Sequence, residues 1–406
     1  MKVYLARQPI FTGDKKIYAY ELLFRGGVGN FFPAIDGDSA TSRVLSNTFF
    51  SSDLQQIAGD RRIFVNFTRE LVSRRIPLIF PHQVTTVELL EDIVPDEEFM
   101  ASCREISARG YQIALDDFTY RDDLAELMEL SDIVKIDFLA TPRDKIAECL
   151  GRFAGLGCAF LAEKVETNEQ FRWACDMGFT YFQGYFFSRP EVMRGTDIPP
   201  LKVNLLQIMT EAGREGFSMD ELDRLIERDV GISYKLLRYL NSPFFRRKTE
   251  ISSIRHAIML LGEKGIKGFL SVIVMSELSE DKPDELLKSS VVRARLCEKL
   301  GLLNGRRTDP SHLFTLGLFS LIDAILDSPM EQVLRKLPLT GDIKSALLGE
   351  QNGLSCYLRL AESYERGDWD AVTAHAAAMG LDQDGLPDIY LDALGFADAL
   401  VSTARG

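Results

Sequence analysis

Six polar residues recur through the first half of this chain, each at the end of a short β-type run: Asn66, Glu88, Asp116, Lys135, Glu163 and Gln183. Their separations are 22, 28, 19, 28 and 20 residues. That is the length of one strand, one helix and two turns. Six such units in succession predict a β/α barrel rather than an open sheet. The β-type runs are 3–11, 17–24, 62–68, 85–90, 112–118, 132–138, 159–166 and 181–187, with helical patterns such as "DLAELMEL" and "NEQFRWACDMGF" between some of them. The first two runs are joined by "TGDKK", a tight polar turn, which predicts an antiparallel hairpin and departs from a purely parallel eightfold barrel.

Around 189–202 the texture changes. "RPEVMRGTDIPPLK" carries three prolines and a glycine and reads as a linker. Beyond it, "LKVNLLQIM", "MDELDRLIERD", "SYKLLRYL", "SIRHAIMLLG", "LFTLGLFSLIDAIL" and "DIKSALL" all space their apolar residues helically. The expected architecture is α/β plus all-α: a TIM-like barrel over 1–195 and a helical domain over 196–406. A chain of 406 residues accommodates two domains.

The formal net charge of −13 argues against broad binding to nucleic acid or anionic membranes, which needs a basic surface. Six scattered cysteines, with no C-x-x-C pair, read as thiols in a reducing compartment. Arg7 interrupts the apolar run near the start, so no signal peptide is expected. The apolar stretch Leu313 to Leu326 contains Asp323 and is too short to span a bilayer. A cytoplasmic location is the expectation.

In a β/α barrel the C-terminal strand ends converge on one mouth. The runs deliver Glu21, Asn66, Glu88, Asp116, Asp117, Lys135, Glu163 and Gln183 there. Five carboxylates on one rim call for divalent cations, which take hard oxygen ligands, including an amide oxygen such as that of Asn66. So many acids can hold two ions, an arrangement suited to clamping a phosphodiester. Each residue also has a plainer reading. Glu21 suits a solvated surface, and Asp116–Asp117 a helix N-cap. Lys135 could pair with Asp132 or Asp137. Glu163 and Glu166 could share one turn of an exposed helix, and Asn66 and Gln183 could satisfy turns. Joint placement at strand ends favours the cluster.

These residues carry a resemblance. "YELLFR" resembles the E-A-L-x-R signature of EAL domains, which hydrolyse or bind the bacterial messenger cyclic di-GMP. "QPIF", "VNFT", "VELLED", "LDDF", "VKID", "AEKVET" and "FQGYFFSRP" follow in that family's order, covering nearly all of 1–195. The resemblance implies Mg²⁺ or Mn²⁺ held by Glu21, Asn66, Glu88, Asp116 and Asp117. It implies a water-positioning role for Lys135, with Glu163 completing the catalytic set. Arg25 would contact a ligand phosphate and Gln183 would lie near the ligand. Glu91 would pin the loop after the paired aspartates, with Glu166 a second support. The sequence departs from the family at Leu22, where alanine stands, and at Lys164, where A-E-G-V-E has glycine. The loop D-D-F-G-x-G-x-S-S is "DDFTYRDDL" here, without glycine or serine. That loop often forms the family's dimer contact, so a homodimer is one expectation. The altered loop and Lys164 predict weak or absent hydrolysis to linear pGpG.

"IERDVGISYKLLRYLNSPFF" and "ISSIRHAIMLLG" resemble the HDOD domain, a helical relative of HD phosphohydrolases, and the likeness runs on through "LGLFSLIDAILDSPMEQVLRKLPL". No His-Asp dipeptide exists in the chain, because His82, His256, His312 and His375 are followed by Gln, Ala, Leu and Ala. His256 reads as a packed helix residue. The helical half is therefore expected to be non-catalytic and to meet a protein partner. Three functions fit: an active cyclic di-GMP phosphodiesterase, a receptor that binds cyclic di-GMP with little or no turnover, and a scaffold that binds no nucleotide. The retained ligand set favours the first two, and the altered loop favours the receptor.

Overall fold

The computed structural model describes residues 5–24, 57–90, 93, 95–116, 125–153, 155–188, 240, 254–279, 282–305, 308–337 and 339–405. Strands β1 (Leu5–Thr12), β2 (Ile17–Phe24), β3 (Arg62–Phe67), β4 (Thr85–Leu89), β5 (Gln112–Leu115), β6 (Ile133–Asp137), β7 (Ala159–Glu163) and β8 (Tyr181–Gln183) close into one barrel in sequence order. β1 runs antiparallel to both β2 and β8, and every other neighbouring pair is parallel. The expected antiparallel hairpin is present. Several runs overshoot in the sequence reading. β5 ends at Leu115 and β7 at Glu163, and the residues after β8 form a 3₁₀ turn, Tyr185–Ser188.

Helices between the strands start where capping chemistry places them. Asp96 accepts from the Phe99 amide to open α2 (Glu97–Ala108), which follows α1 (Arg69–Ser73). α3 (Ala125–Glu129) and α4 (Arg143–Phe153) come next. Thr167 and Gln170 form a capping box at α5 (Asn168–Asp176), and Gln170 Oε1 also receives the Glu166 amide. The end of β7 and the start of α5 are thereby tied together.

The chain forms two compact units. One comprises Met1–Phe187 with Tyr364–Trp369, and the second comprises Ser188–Ser363 with Asp370–Gly406. The described regular structure after the barrel is helical: α6 (Ile254–Leu278, broken by a kink at Gly262, φ 67°), α7 (Asp284–Asn304), α8 (Pro310–Phe319), α9 (Ile322–Leu326), α10 (Met330–Lys336), α11 (Gly341–Leu347), α12 (Ser355–Glu365), α13 (Trp369–Met379) and α14 (Leu386–Arg405). α7 and α8 approach closely because Gly317 has no side chain; a Cβ there would lie 2.4 Å from the backbone of Arg293 and Ala294. The run "LFTLGLFSLIDAIL" is broken at Ser320–Leu321 into α8 and α9. The earlier helical runs between 201 and 239, and the side chain of His256, lie outside what is described. No described helix is long and apolar enough to cross a membrane.

Candidate metal centre at the barrel mouth

The barrel interior is layered. Ile10, Ala19, Phe64, Ala114, Ile133 and Leu161 form one buried apolar cluster. Side chains alternate faces along a strand, so residues two further on point inward again, one layer nearer the mouth. Ala19 leads to Glu21, Phe64 to Asn66, Ala114 to Asp116, Ile133 to Lys135 and Leu161 to Glu163. Thr86 leads likewise to Glu88, and Tyr181 to Gln183. β1 runs the other way, so its member of that layer precedes Ile10: Gln8, whose register partner is Glu21. An apolar floor thus lies under a polar layer assembled from every strand.

Lys135 stands in the centre of that layer, 1% exposed. Its Nζ lies 2.7 Å from Glu163 Oε1, 2.9 Å from Asp116 Oδ1 and 3.4 Å from Glu21 Oε2, and it also contacts Glu88. Asn66 Nδ2 donates to Glu21 Oε1 at 3.0 Å. Gln183 Nε2 donates to Glu21 Oε2 at 2.7 Å and to Gln8 Oε1 at 3.1 Å. The plainer readings fail against this geometry. Glu21 is buried. Among its described contacts Lys135 meets neither Asp132, which caps the Ile113 amide, nor Asp137. Asp116 Oδ1 engages Lys135, and the N-cap reading of Asp116–Asp117 falls on residues that lie partly outside those described. Glu163 ends a strand, while Glu166 lies in the turn before α5 and shares no helix with it.

The charge is unbalanced. Among the described residues four carboxylates surround one ammonium, in a site where each desolvated ion costs several kcal/mol. Burial pushes the Glu88 carboxyl well above the usual range, and repulsion from Glu21 adds to it against the pull of Lys135. Burial does the same to Glu163, with Lys135 opposing and Asp116 and Glu21 adding. For Lys135 burial favours the neutral amine, but the four acids outweigh it and hold the ammonium protonated. Among the described residues, three acceptor atoms in this layer, Asn66 Oδ1, Glu88 Oε2 and Gln183 Oε1, are buried without a hydrogen-bond partner. An orphaned buried acceptor costs about 1–3 kcal/mol. Glu21, Glu88 and Glu163 also offer oxygens within 4.8 Å of one another. Excess carboxylates and donor-less oxygens in one place are what a hard divalent cation satisfies, so the residues present fit such an ion.

Sequence reasoning missed two members. Gln8 escaped because an antiparallel strand reverses the counting. Asp137 follows Lys135 by two and so faces the mouth, one layer further out. Its Oδ1 accepts from the Leu139 and Ala140 amides at 2.6 and 2.9 Å, and its Oδ2 takes Lys164 Nζ at 2.5 Å. Burial works to raise the Asp137 carboxyl, but Lys164 and the two amides prevail and hold it below the ordinary range.

Lys164 has a left-handed backbone, φ 51°. The reason lies in its neighbours. Val165 is pinned on both sides, donating to Gln183 O and accepting from the Phe186 amide. Gly184 makes this approach possible, since a Cβ there would sit 2.3 Å from Val165 O. A left-handed non-glycine residue costs about 1–2 kcal/mol. The Lys164–Asp137 pair, with Lys164 half exposed, returns about 0.2–1 kcal/mol. Arg25, Glu91, Asp117 and the loop 118–124 lie outside the described residues.

A family model for the EAL domain matches residues 2–190, and one for the HDOD domain matches 198–332. The chain belongs to the family of proteins in which an EAL domain is followed by an HDOD domain. Within it, the chain is 37% identical over 393 residues to cyclic di-GMP phosphodiesterase CdgJ of Vibrio cholerae, covering 96% of this chain and 91% of that protein. It is 36% identical over 409 residues to the uncharacterized protein YuxH of Bacillus subtilis, covering 99% of each. Among solved structures, an EAL domain protein from Listeria monocytogenes is 26% identical, with a TM-score of 0.35 over 46% of this chain and 87% of that one.

Proposed function

We propose that this chain is a cyclic di-GMP signalling protein. Its barrel, assigned to 1–195, binds a divalent ion and cyclic di-GMP at the mouth and turns the ligand over slowly or not at all. Its helical half, 196–406, relays occupancy to a protein partner without catalysis of its own. The observation that carries this reading is the buried, charge-unbalanced layer of Glu21, Asn66, Glu88, Asp116, Lys135 and Glu163 with its donor-less oxygens. The full-length similarity to a cyclic di-GMP phosphodiesterase supports the choice of ligand.

Glu21, Asn66, Glu88, Asp116 and Asp117 would hold Mg²⁺ or Mn²⁺. The ion would supply Lewis-acid polarisation of the phosphodiester and of water. Lys135, kept protonated by its acids, is a donor and not a base. It orients a water and offsets charge that builds on phosphate oxygens. Glu163, raised by burial and 2.7 Å from Lys135, is the group suited to exchange a proton with that water. Gln183 and Arg25 would contact the ligand, with Glu91 and Glu166 supporting the loops around it. Hydrolysis would add one water across one phosphodiester and open the ring to linear pGpG.

A second reading, a fully active phosphodiesterase, is favoured by the name of the Vibrio relative. The glycine-free loop after Asp116 favours slow turnover. One assay separates them: incubate purified protein with cyclic di-GMP and Mg²⁺ or Mn²⁺, and measure linear product, with equilibrium binding in Ca²⁺ alongside. Binding with little product supports the receptor. Product at a rate typical of phosphodiesterases selects the enzyme, and no binding defeats both.

A further inference from the structure

We infer that Arg366, carried on the turn between α12 and α13, is a ligand-binding cation of the barrel mouth, positioned to receive a phosphate oxygen of the bound cyclic dinucleotide. The inference rests on the function proposed above and adds to it a contact from a residue 358 positions beyond Gln8 in the sequence.

Three observations converge. The first is placement. Tyr364–Trp369 belong to the barrel's compact unit. The Arg366 carbonyl accepts from Gln8 Nε2 at 3.2 Å, and Gln8 is the member of the polar layer opposite Glu21. Ala19 packs in the apolar floor, Glu21 lies one layer above it, and Leu23 lies one layer above that. Gly367 rests on Leu23: a Cβ there would lie 2.6 Å from Leu23 Cδ1, and its φ of 66° is one that glycine adopts freely. The turn therefore sits on the rim of the mouth, on the side of β1 and β2. The second observation is that the Arg366 side chain does not hold the turn. Docking uses the Arg366 carbonyl and the bare Cα of Gly367, and the edge-to-face rings of Tyr364 and Trp369, with centroids 5.2 Å apart, brace it. Any other side chain at 366 would leave that carbonyl in place. The third is electrostatic. Arg366 is exposed, and its guanidinium lies over the ring of Tyr185, 5.3 Å from the centroid and two residues past Gln183. Among the described residues no carboxylate pairs with it, whereas Arg69, Arg75, Arg104 and Arg109 of the same unit each have one. The aromatic ring covers one face of the guanidinium and leaves its N–H edge open. A cyclic dinucleotide brings two phosphate charges to a layer that holds Glu21, Glu88, Asp116 and Glu163. Lys135 is 1% exposed and engaged by all four acids, so it has little reach toward a ligand outside the layer. Arg366 has the exposure, and its planar fork of donors matches a phosphate.

The test uses the full-length protein loaded with Ca²⁺. Titrate cyclic di-GMP into wild type, Arg366→Gln, Arg366→Lys and Arg61→Gln by calorimetry, at low and high salt. Arg61 precedes β3, at the opposite end of the barrel, and controls for net charge. Measure Ca²⁺ affinity without nucleotide, and the melting temperature, for each. The inference predicts about tenfold weaker nucleotide binding in Arg366→Gln, as expected for one charge-assisted hydrogen bond. The loss should be smaller in Arg366→Lys, which keeps the charge without the fork, and Arg61→Gln should bind like wild type. Binding to Arg366→Gln should also respond less to salt, with Ca²⁺ affinity unchanged throughout. Arg366→Gln should melt close to wild type, which rules out loss of fold as the cause. Wild-type nucleotide affinity in Arg366→Gln overturns the inference, and so does an equal loss in Arg61→Gln, which would make the effect one of overall charge. A parallel loss of Ca²⁺ affinity overturns it too, because the residue would then act through Gln8 and the metal layer. A large drop in melting temperature alongside lost binding does the same, because the side chain would then be holding the turn. If wild type itself binds no cyclic di-GMP, the proposed function fails and this inference falls with it.

Discussion

Two buried cations, Lys135 in the barrel and Arg293 in the helical unit, have opposite surroundings. Arg293, 4% exposed, is matched by Glu362 at 3.3 Å and by the Ser320 hydroxyl at 3.4 Å, in the region where α7 and α8 pack backbone to backbone. Nearby, burial holds the Asp323 carboxyl toward its neutral form, against the pull of Arg293. That arrangement ties α7 to α12 through Glu362 and to the end of α8 through Ser320. Lys135 is outnumbered four to one, and its layer keeps three acceptors without donors. A matched buried charge serves packing, whereas an unmatched set of charges needs something from outside. The difference assigns ligand chemistry to the barrel and a structural role to the helical cation.

The largest expected effect breaks the unbalanced side. Glu88→Gln combined with Asp116→Asn should weaken Mn²⁺ binding at least a hundredfold, about 2.8 kcal/mol, by calorimetry. Unchanged affinity would sink the site assignment. On the matched side, Arg293→Ala should lower the unfolding free energy in urea by about 3 kcal/mol, because it leaves a void and an uncompensated carboxylate, while Mn²⁺ affinity stays the same. A loss below about 1 kcal/mol would mean that the helical cation does not hold α7 to α12 and the end of α8.

The pH response sharpens the contrast. Glu88 and Glu163 are raised in the folded state, so the fold binds more protons than the unfolded chain once pH exceeds their ordinary value of 4.5. Metal-free protein should therefore lose stability as pH rises from that value through the raised folded values. Saturating Mn²⁺ should flatten the dependence and release protons on binding, detectable as a buffer-dependent heat. A flat profile without metal would count against the charge imbalance. The smallest effect concerns Asp137, whose carboxyl is depressed. Its contribution is present above the ordinary value of 3.8 and is lost as pH falls through the depressed folded value. Asp137→Asn should cost about 1 kcal/mol at neutral pH in urea unfolding, and a gain in stability would contradict the anchoring role.

Much of the mouth was legible because a barrel converts even spacing into convergence. Asn66, Glu88, Asp116, Lys135, Glu163 and Gln183 each lie in or just after the C-terminal half of a strand, and each sits two residues beyond an inward-facing residue of the layer below. Gln8 was not legible, since its strand runs backwards and the spacing rule does not apply to it. The plainer reading of Lys135 offers Asp132 or Asp137 as its partner; Asp137 does share a face with Lys135, but it sits one layer further out and pairs with Lys164. The reading of "AEKVE" as a strand through Glu166 failed for a tertiary reason. Val165 is captured by the end of β8, which forces Lys164 into a left-handed turn. The break at Ser320–Leu321 was hidden because both flanking helices are apolar and the run looks continuous.

If a divalent ion completes the acidic mouth, an anionic ligand enters it only with that ion in place. The direct measurement is equilibrium binding of cyclic di-GMP to the full-length protein, first saturated with Ca²⁺ and then stripped with chelator. Binding is expected with the ion, and a loss of at least a hundredfold without it. Equal affinity in the two conditions would contradict it.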